Sequence, residues 1–240
     1  MITHAAVNRQ RIFVTGGTGY LGVPLIEALL RRGHEVRALA RRGSEGRLPS
    51  GCGVVFGNAL DGATFADQVA PADTLVHLVG VSHPAPWKER QFREVDLASA
   101  RASVQAARTG GVRHMVYLSV AQPAPVMKSY VAIRAECERQ IADAGLSATC
   151  VRPWYVLGPG HLWPYALVPV YALLERLPET SDTARRLGLV RRPEMIDALV
   201  WAVENPAEGV RVMDVPRIRS FRTRPRDGIN RSLTANGKRR

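Results

Sequence analysis

Apolar positions along this chain come in short unbroken runs and in longer stretches where they return at helical spacing. Arg11–Thr15 is a β-branched apolar run that breaks at glycines. From Tyr20 onward Leu21, Leu25 and Leu29 recur as one helical face, and after Gly33 a second apolar strand follows at Glu35–Ala40. Val54–Phe56 predicts a third strand ending at Gly57-Asn58, and Asp61–Ala70 a short helix capped by Asp61. Thr74–Val81 is continuously apolar, as expected for a central parallel strand buried on both faces. Glu89–Arg108 predicts a long Ala-rich helix stopped by Gly110-Gly111, Val112–Ser119 a fifth strand, Met127–Ala144 a helix ended by Gly145, and Ser147–Arg152 a sixth strand. Beyond these, Tyr165–Leu177 and Pro193–Glu204 predict helices and Val210–Val215 a last strand. Strands alternating with helices in this way predict an α/β fold: a doubly wound parallel sheet, a Rossmann fold, with a short C-terminal substrate-side region.

A length of 240 residues suits one such domain with a full core. The expected divisions are a loose arm over residues 1–10, one domain over 11–215 with a small lid from about 153, and a basic tail over 216–240. The tail changes how the net charge of +12 is read. From Pro216 onward nine basic residues face Asp227 alone, so the tail carries +8 and the rest of the chain only +4. Such a tail is expected to be disordered, or to meet an acidic or protein partner, and no nucleic-acid motif accompanies it. The three cysteines (Cys52, Cys137 and Cys150) form no CxxC pair, and MITHAAVNRQ lacks the apolar core of a signal peptide. With no run long enough to span a membrane, these features predict a cytoplasmic protein with reduced thiols.

The first candidate site is the turn between Thr15 and the helix. Gly16, Gly19 and Gly22 recur at every third position of Gly16-Gly17-Thr18-Gly19-Tyr20-Leu21-Gly22. Without Cβ atoms, such a turn can be tight, let backbone approach a pyrophosphate, and pack a helix closely on its strand, while the helix N-terminus faces the anion. Flanked by a strand and a helix, with another strand behind, the motif predicts dinucleotide binding. The end of the second strand then distinguishes the nucleotides. An NAD site usually carries a carboxylate there, but this chain has Ala40-Arg41-Arg42. A guanidinium can pair with a 2′-phosphate and stack on adenine, so NADP(H) is expected in preference to NAD(H). His77, within the fourth apolar run, reads as a hydrogen-bonded core residue. His83, in the Pro-broken loop at that run's carboxyl end, is a candidate for reaching the substrate.

The turn TGGTGYLG, with its Gly-x-x-Gly-x-x-Gly spacing, resembles the extended and atypical short-chain dehydrogenase/reductase families, including NmrA-like proteins. That resemblance implies that Asn58 lies beside the adenine and that Val79, Gly80 and Pro153 contact the cofactor. It also implies a catalytic set of a serine and Tyr-x-x-x-Lys, matched here by Ser119, Tyr130 and, in place of the lysine, Arg134. In the family the tyrosine protonates the carbonyl oxygen as hydride arrives, the serine hydrogen-bonds that oxygen, and the lysine's charge lowers the tyrosine pKa. Arginine keeps the charge but cannot join a proton relay that requires deprotonation. Arg152-Pro153 and Gly158-Pro159-Gly160 match the loop that borders the substrate in extended members. The aromatic-rich stretch around it, with Trp154 and the candidate His161, suits an apolar substrate.

The resulting expectation is an NADP(H)-dependent oxidoreductase of the atypical short-chain type, acting on a carbonyl or hydroxyl compound. One alternative is a nucleotide-binding redox sensor or accessory subunit without chemistry, NmrA-like or similar to the accessory subunit of respiratory complex I. Another is a nucleotide-sugar epimerase or dehydratase, against which the short lid counts.

Overall fold

The computed structural model describes residues 9–159 and 186–221. The predicted helix 165–177, the candidate His161 and the greater part of the basic tail lie outside the described residues.

β1 (Arg11–Thr15) leads through the glycine turn into α1 (Gly22–Arg31) and back through β2 (Glu35–Ala40), as the apolar rhythm predicts. β3 (Gly53–Phe56) and β4 (Thr74–His77) come next. The expected strand 74–81 is shorter because its ladder with β1 ends at the pair Thr15 and His77, where β1 gives way to the Gly16 turn. Between β3 and β4 the expected helix 61–70 is replaced by two 3-10 turns, Gly62–Thr64 and Ala66–Gln68. Phe65 separates them with φ −152° and is wholly buried, its ring stacked 6.1 Å from Phe13. Anchoring that ring in the core interrupts the helical backbone. Asp61 does cap, accepting from the Ala63 N–H at 3.1 Å.

The expected helix 89–108 is also interrupted. α2 (Glu89–Gln91) passes into a π turn at Phe92–Leu97 and then into α3 (Ala98–Thr109). β5 (His114–Leu118), α4 (Lys128–Asp143), β6 (Ala148–Val151) and β7 (Tyr155–Leu157) complete the first described part. The second comprises β8 (Leu189–Arg191), α5 (Arg192–Glu204), β9 (Val210–Met213) and α6 (Val215–Arg219). α6 carries Arg217 and Arg219 of the basic run. It is capped by Asp214 and held by the buried Ile218, and Arg219 Nε donates to the Leu189 carbonyl at 2.8 Å. Those two arginines are therefore part of the packed structure, because the short helix has an apolar residue to bury.

Seven strands form one sheet in the order β3-β2-β1-β4-β5-β6-β9, every described pairing parallel, and β7 and β8 make a small separate ladder. This is the doubly wound Rossmann architecture, with the direction of winding reversing between β1 and β4. Ligands in such sheets bind outside the carboxyl ends of the strands at that switch. One face is covered by α1, α5 and α6 with Leu25, Leu29, Met195 and Leu199. The other is covered by α3 and α4 with Phe65, Phe92, Ala106 and Ile141. Among the described residues no helix is long and apolar enough to cross a membrane.

Leu25 is fully buried where α1 packs on the sheet. Leu25→Ala is expected to cost about 2–5 kcal/mol of stability, read as a lower urea midpoint with an unchanged slope.

Candidate functional site

The Gly16–Gly22 turn emerges from β1 at the switch, and its glycines have different duties. Gly16 has φ +80°, and a Cβ there would come within 2.9 Å of the Leu78 carbonyl carbon. A Cβ on Gly22 would collide with the Gly16 carbonyl oxygen, so Gly22 sets how closely α1 sits on the turn. Gly17 is buried against Ala38 and Ile26, and serves packing. The first turn of α1 has neither a carboxylate nor a side-chain cap, which leaves its positive end available to an anion.

A cavity of about 540 Å³ runs from this turn in both directions. At one end it is lined by Leu39, Ala40, Arg41 and Gly57-Asn58, and at the other by Val79, Gly80, His83, Tyr130 and Arg134. Thr18, Gly19, Tyr20, Leu21 and Gly22 line the middle. Among the described residues no carboxylate lines it. Arg42 points elsewhere, lying over the Phe56 ring at 5.0 Å. Asn58 stiffens its own loop: its Oδ1 accepts from the Leu60 N–H at 3.1 Å and its N–H donates to Thr64 Oγ1 at 2.9 Å.

The opposite end is built around Arg134. Its side chain is buried, with Nη2 2.6 Å from Asp96 Oδ1. Its Nη1 donates to the Tyr117 hydroxyl at 3.1 Å and to the Leu118 carbonyl at 2.8 Å, while Nε has no hydrogen-bond partner among the described residues. The guanidinium lies over the rings of Tyr130 at 5.3 Å and Tyr117 at 5.7 Å, and fills the space that a Cβ on Gly80 would need. Tyr130 in turn packs against Phe92, 4.8 Å between ring centres. Burial raises the Tyr130 phenol above its ordinary value. Arg134 pulls it back down and Asp96 opposes that pull. Burial likewise raises the Asp96 carboxyl, against the pull of Arg134 and of the Val81 N–H.

The NAD(P)H-binding family matches residues 16–160, from the glycine turn past the end of β7. The chain belongs to this family. It is therefore a member of the short-chain dehydrogenase/reductase superfamily, with reductases among its relatives and NAD complexes among its structural neighbours. It is 30% identical over 212 residues to a ceramide reductase of Caulobacter vibrioides, covering 87% of this chain and 66% of that protein. A 3-diazoavenalumate denitrifying reductase of Streptomyces is 29% identical, covering 83% of this chain and 74% of that protein. The chain thus spans about two thirds to three quarters of the length of these relatives. Among solved structures it resembles the Bordetella bronchiseptica enzyme WbmH in complex with NAD+ (TM-score 0.64, 21% identity, 86% of this chain and 76% of that one).

For an NAD(P)H-binding family member the cradle fits the cofactor. The glycine turn leaves no side chain between backbone and ligand, and the cavity extends from it to both the end of β2 and the start of α4. Tyr130 and Arg134 are brought together at its wall. Ser119 is not. It is buried at the end of β5, outside the cavity lining, and its hydroxyl donates to Glu138 Oε1 at 2.5 Å. Glu138 also accepts from Gln122 and is ion-paired with Arg152, so this serine belongs to a polar cluster tying β5 and α4 to the segment after β6. Pro153 is buried beneath the loop, its carbonyl accepting from the Ala121 N–H at 2.9 Å, and Trp154 packs edge-on to Tyr155 at 5.6 Å. Neither lines the cavity. His83 does line it, with φ +51°, and its carbonyl accepts from Lys88 Nζ at 3.0 Å. His77 is the expected core histidine. Its Nδ1 lies 2.8 Å from Thr15 Oγ1, and burial pushes its pKa down to about 3.

Asp96, Tyr117 and Glu138 were not among the sequence candidates. Glu138 had a usable signal, since Tyr130, Arg134 and Glu138 repeat at every fourth position along one helix face. Asp96 had none, because only the π turn and the packing of α3 against α4 bring it to Arg134.

Ser119→Ala removes a donor from buried Glu138. It is expected to lower stability by about 1–3 kcal/mol while nucleotide affinity stays within twofold, checked by urea unfolding beside a nucleotide titration.

Proposed function

We propose that the protein is an NADP(H)-dependent oxidoreductase that reduces a carbonyl group on a largely apolar small molecule, with Tyr130 as the general acid. The observation that carries this reading is the single cavity lined by Arg41, the glycine turn, Tyr130 and Arg134 together. A dinucleotide held at the turn can then reach the end of β2 with its adenosine and the α4 wall with its nicotinamide. When bound, the reduced nicotinamide supplies a hydride, with its electron pair, to the carbonyl carbon. Tyr130 donates its phenolic proton to the oxygen, and solvent restores that proton. Arg134 orients the phenol through the face of its ring, and Gly80 keeps the wall free of a side chain. Ser119, bonded to Glu138, has a structural duty instead of holding the substrate oxygen.

The NADP(H) preference is supported by the lack of any carboxylate along the cavity among the described residues and by Arg41 at the adenosine end, where a 2′-phosphate would carry its charge. An apolar substrate is supported by the exposed Trp87 beside the His83 loop, by Val81 and Leu118 along the wall, and by the ceramide named for one relative. A second reading is favoured by the paired state of Arg134 and the withdrawal of Ser119. Under it, the site holds the nucleotide without chemistry, as a sensor or an accessory subunit does.

Fluorescence titration is expected to show tighter binding of NADPH than of NADH, and Arg41→Ala to erase at least tenfold of that difference. Equal affinities in the unaltered protein would remove the NADP(H) assignment. Tyr130→Phe is expected to lower carbonyl reduction at least a hundredfold, within the usual range for general acid catalysis, with NADPH affinity within twofold. Binding of NADPH without turnover in a screen of apolar ketones would favour the second reading.

A further inference from the structure

Arg134 lies over the Tyr130 ring at 5.3 Å, and Asp96 is the carboxylate that meets it. Asp96 is completely buried, its Oδ1 2.6 Å from Arg134 Nη2 and its Oδ2 accepting from the Val81 N–H at 3.2 Å. It reaches this position from the π turn at Phe92–Leu97. A π turn holds one residue more than an α turn, and so rotates the succeeding turns relative to a regular helix. The same turn presents Phe92 to the Tyr130 ring. One irregular turn thus supplies both the packing surface for Tyr130 and the counter-charge for Arg134.

We propose that Asp96 is a positioning residue. By pairing with Arg134 it cancels most of the charge that would ionise Tyr130, and it keeps Tyr130 in the protonated, proton-donating form near neutral pH. This rests on the reading of Tyr130 as the acid.

The balance of charges around the phenol supports this. From its own helix Tyr130 is faced by Arg134 and Cys137, and from the π turn by Asp96. Tyr117 on β5 and His77 on β4 act on Arg134. Burial leaves His77 neutral and raises the Cys137 thiol and the Tyr117 phenol, so all three are uncharged at neutral pH. The ion pair is then the net electrostatic influence on Tyr130 from these groups. An unpaired cation about 5 Å away would favour tyrosinate by roughly a hundredfold at an effective dielectric near 20. Paired to a carboxylate at contact distance, it acts as a dipole and most of that advantage disappears. In the reducing direction the hydride and its electron pair go to carbon and the Tyr130 proton to oxygen, leaving a tyrosinate that takes up a proton from solvent. The pairing keeps the resting phenol in the protonated form from which that step starts.

The test is a ¹³C NMR titration of nucleotide-free protein labelled at tyrosine Cζ, with Tyr130→Phe to assign the signal. Tyr130 is expected to ionise above the ordinary phenol value of about 10. In Asp96→Asn its midpoint is expected to fall at least one pH unit, a tenfold change in proton affinity. A Tyr130 that titrates at or below the ordinary value in the unaltered protein, or whose midpoint is unmoved in Asp96→Asn, overturns the proposal. Should Asp96→Asn not fold, the charge-free pair Asp96→Asn/Arg134→Gln decides. A midpoint within half a unit of the unaltered protein supports neutralisation, and a rise of a unit or more shows that Arg134 was not neutralised. The titration requires no turnover. A shifted midpoint in a protein that turns over no substrate would leave Asp96's role intact and remove only the catalytic reading. Turnover with an unmoved midpoint would do the opposite.

Discussion

A guanidinium cannot be taken out of water without a counter-charge, and Arg134 is almost wholly out of water. The carboxyl end of the sheet is arranged to meet that requirement. Asp96 neutralises the charge, the Leu118 carbonyl and the Tyr117 hydroxyl take up Nη1, and two aromatic faces cover the plane. Removing one partner of such a pair ordinarily costs about 3–5 kcal/mol, because the other charge is left buried and alone. The pair therefore constrains three elements at once: the π turn before α3, the end of β5 and the middle of α4. It also explains why β4 must continue into a glycine at position 80, where any side chain would strike the guanidinium.

α4 is pinned a second time, one turn further along. Glu138 there gathers the Ser119 hydroxyl, the Gln122 amide and the Arg152 guanidinium, which ties the helix to the segments beyond β5 and β6. With Arg134 and Glu138 both fixed, the start of α4 has little freedom to turn, and Tyr130 is held at the cavity wall by neighbours rather than by its own contacts with solvent. The two clusters divide the polar residues of this region by charge. Arg134 finds its carboxylate across the helix pair, and Glu138 finds its arginine beyond the next strand.

The legibility of these features in the chain depends on how local each constraint is. The glycine turn was legible because its requirement is set within a few residues: a positive φ at Gly16 and a missing Cβ at Gly22 show in sequence as glycines between a strand and a helix. The alternating elements were legible for the same reason, and β1 and β2 match their predicted bounds. Where a distant contact decided, sequence reasoning fell short. The stacking of Phe65 on Phe13 breaks the expected helix into 3-10 turns, and β4 ends early because its partner strand turns away. Tyr130 and Arg134 were visible as a spaced pair, yet the carboxylate that sets the electrostatics of that pair lies on another helix, in a turn whose π geometry has no sequence signature here. Ser119 was visible as the residue ending a strand, but not as the donor that Glu138 requires.

These arrangements give the two ends of the cavity different electrostatic characters. At the β2 end Arg41 is exposed and lines the cavity, the open end of α1 lies between the two ends, and among the described residues no carboxylate lines the cavity, so a phosphate-bearing ligand meets positive charge there. At the α4 end Arg134 is already paired, and the wall beside it carries Val81, Val95, Leu118 and the Tyr130 ring, with Ser82 and His83 at the loop. An anionic group therefore gains most at the first end and little at the second. On the proposed reading, that asymmetry orients a dinucleotide lengthwise, with its pyrophosphate at the glycine turn, its adenosine toward Arg41 and its nicotinamide toward Tyr130. On the same reading, the end beside Tyr130 suits a neutral carbonyl carried on an apolar body, since Arg134 is already paired and a charged substrate would give up its hydration there. The same neutralisation that makes Arg134 tolerable in the interior thus bears on both halves of the proposed reaction, the protonation state of the acid and the polarity of the molecule it protonates.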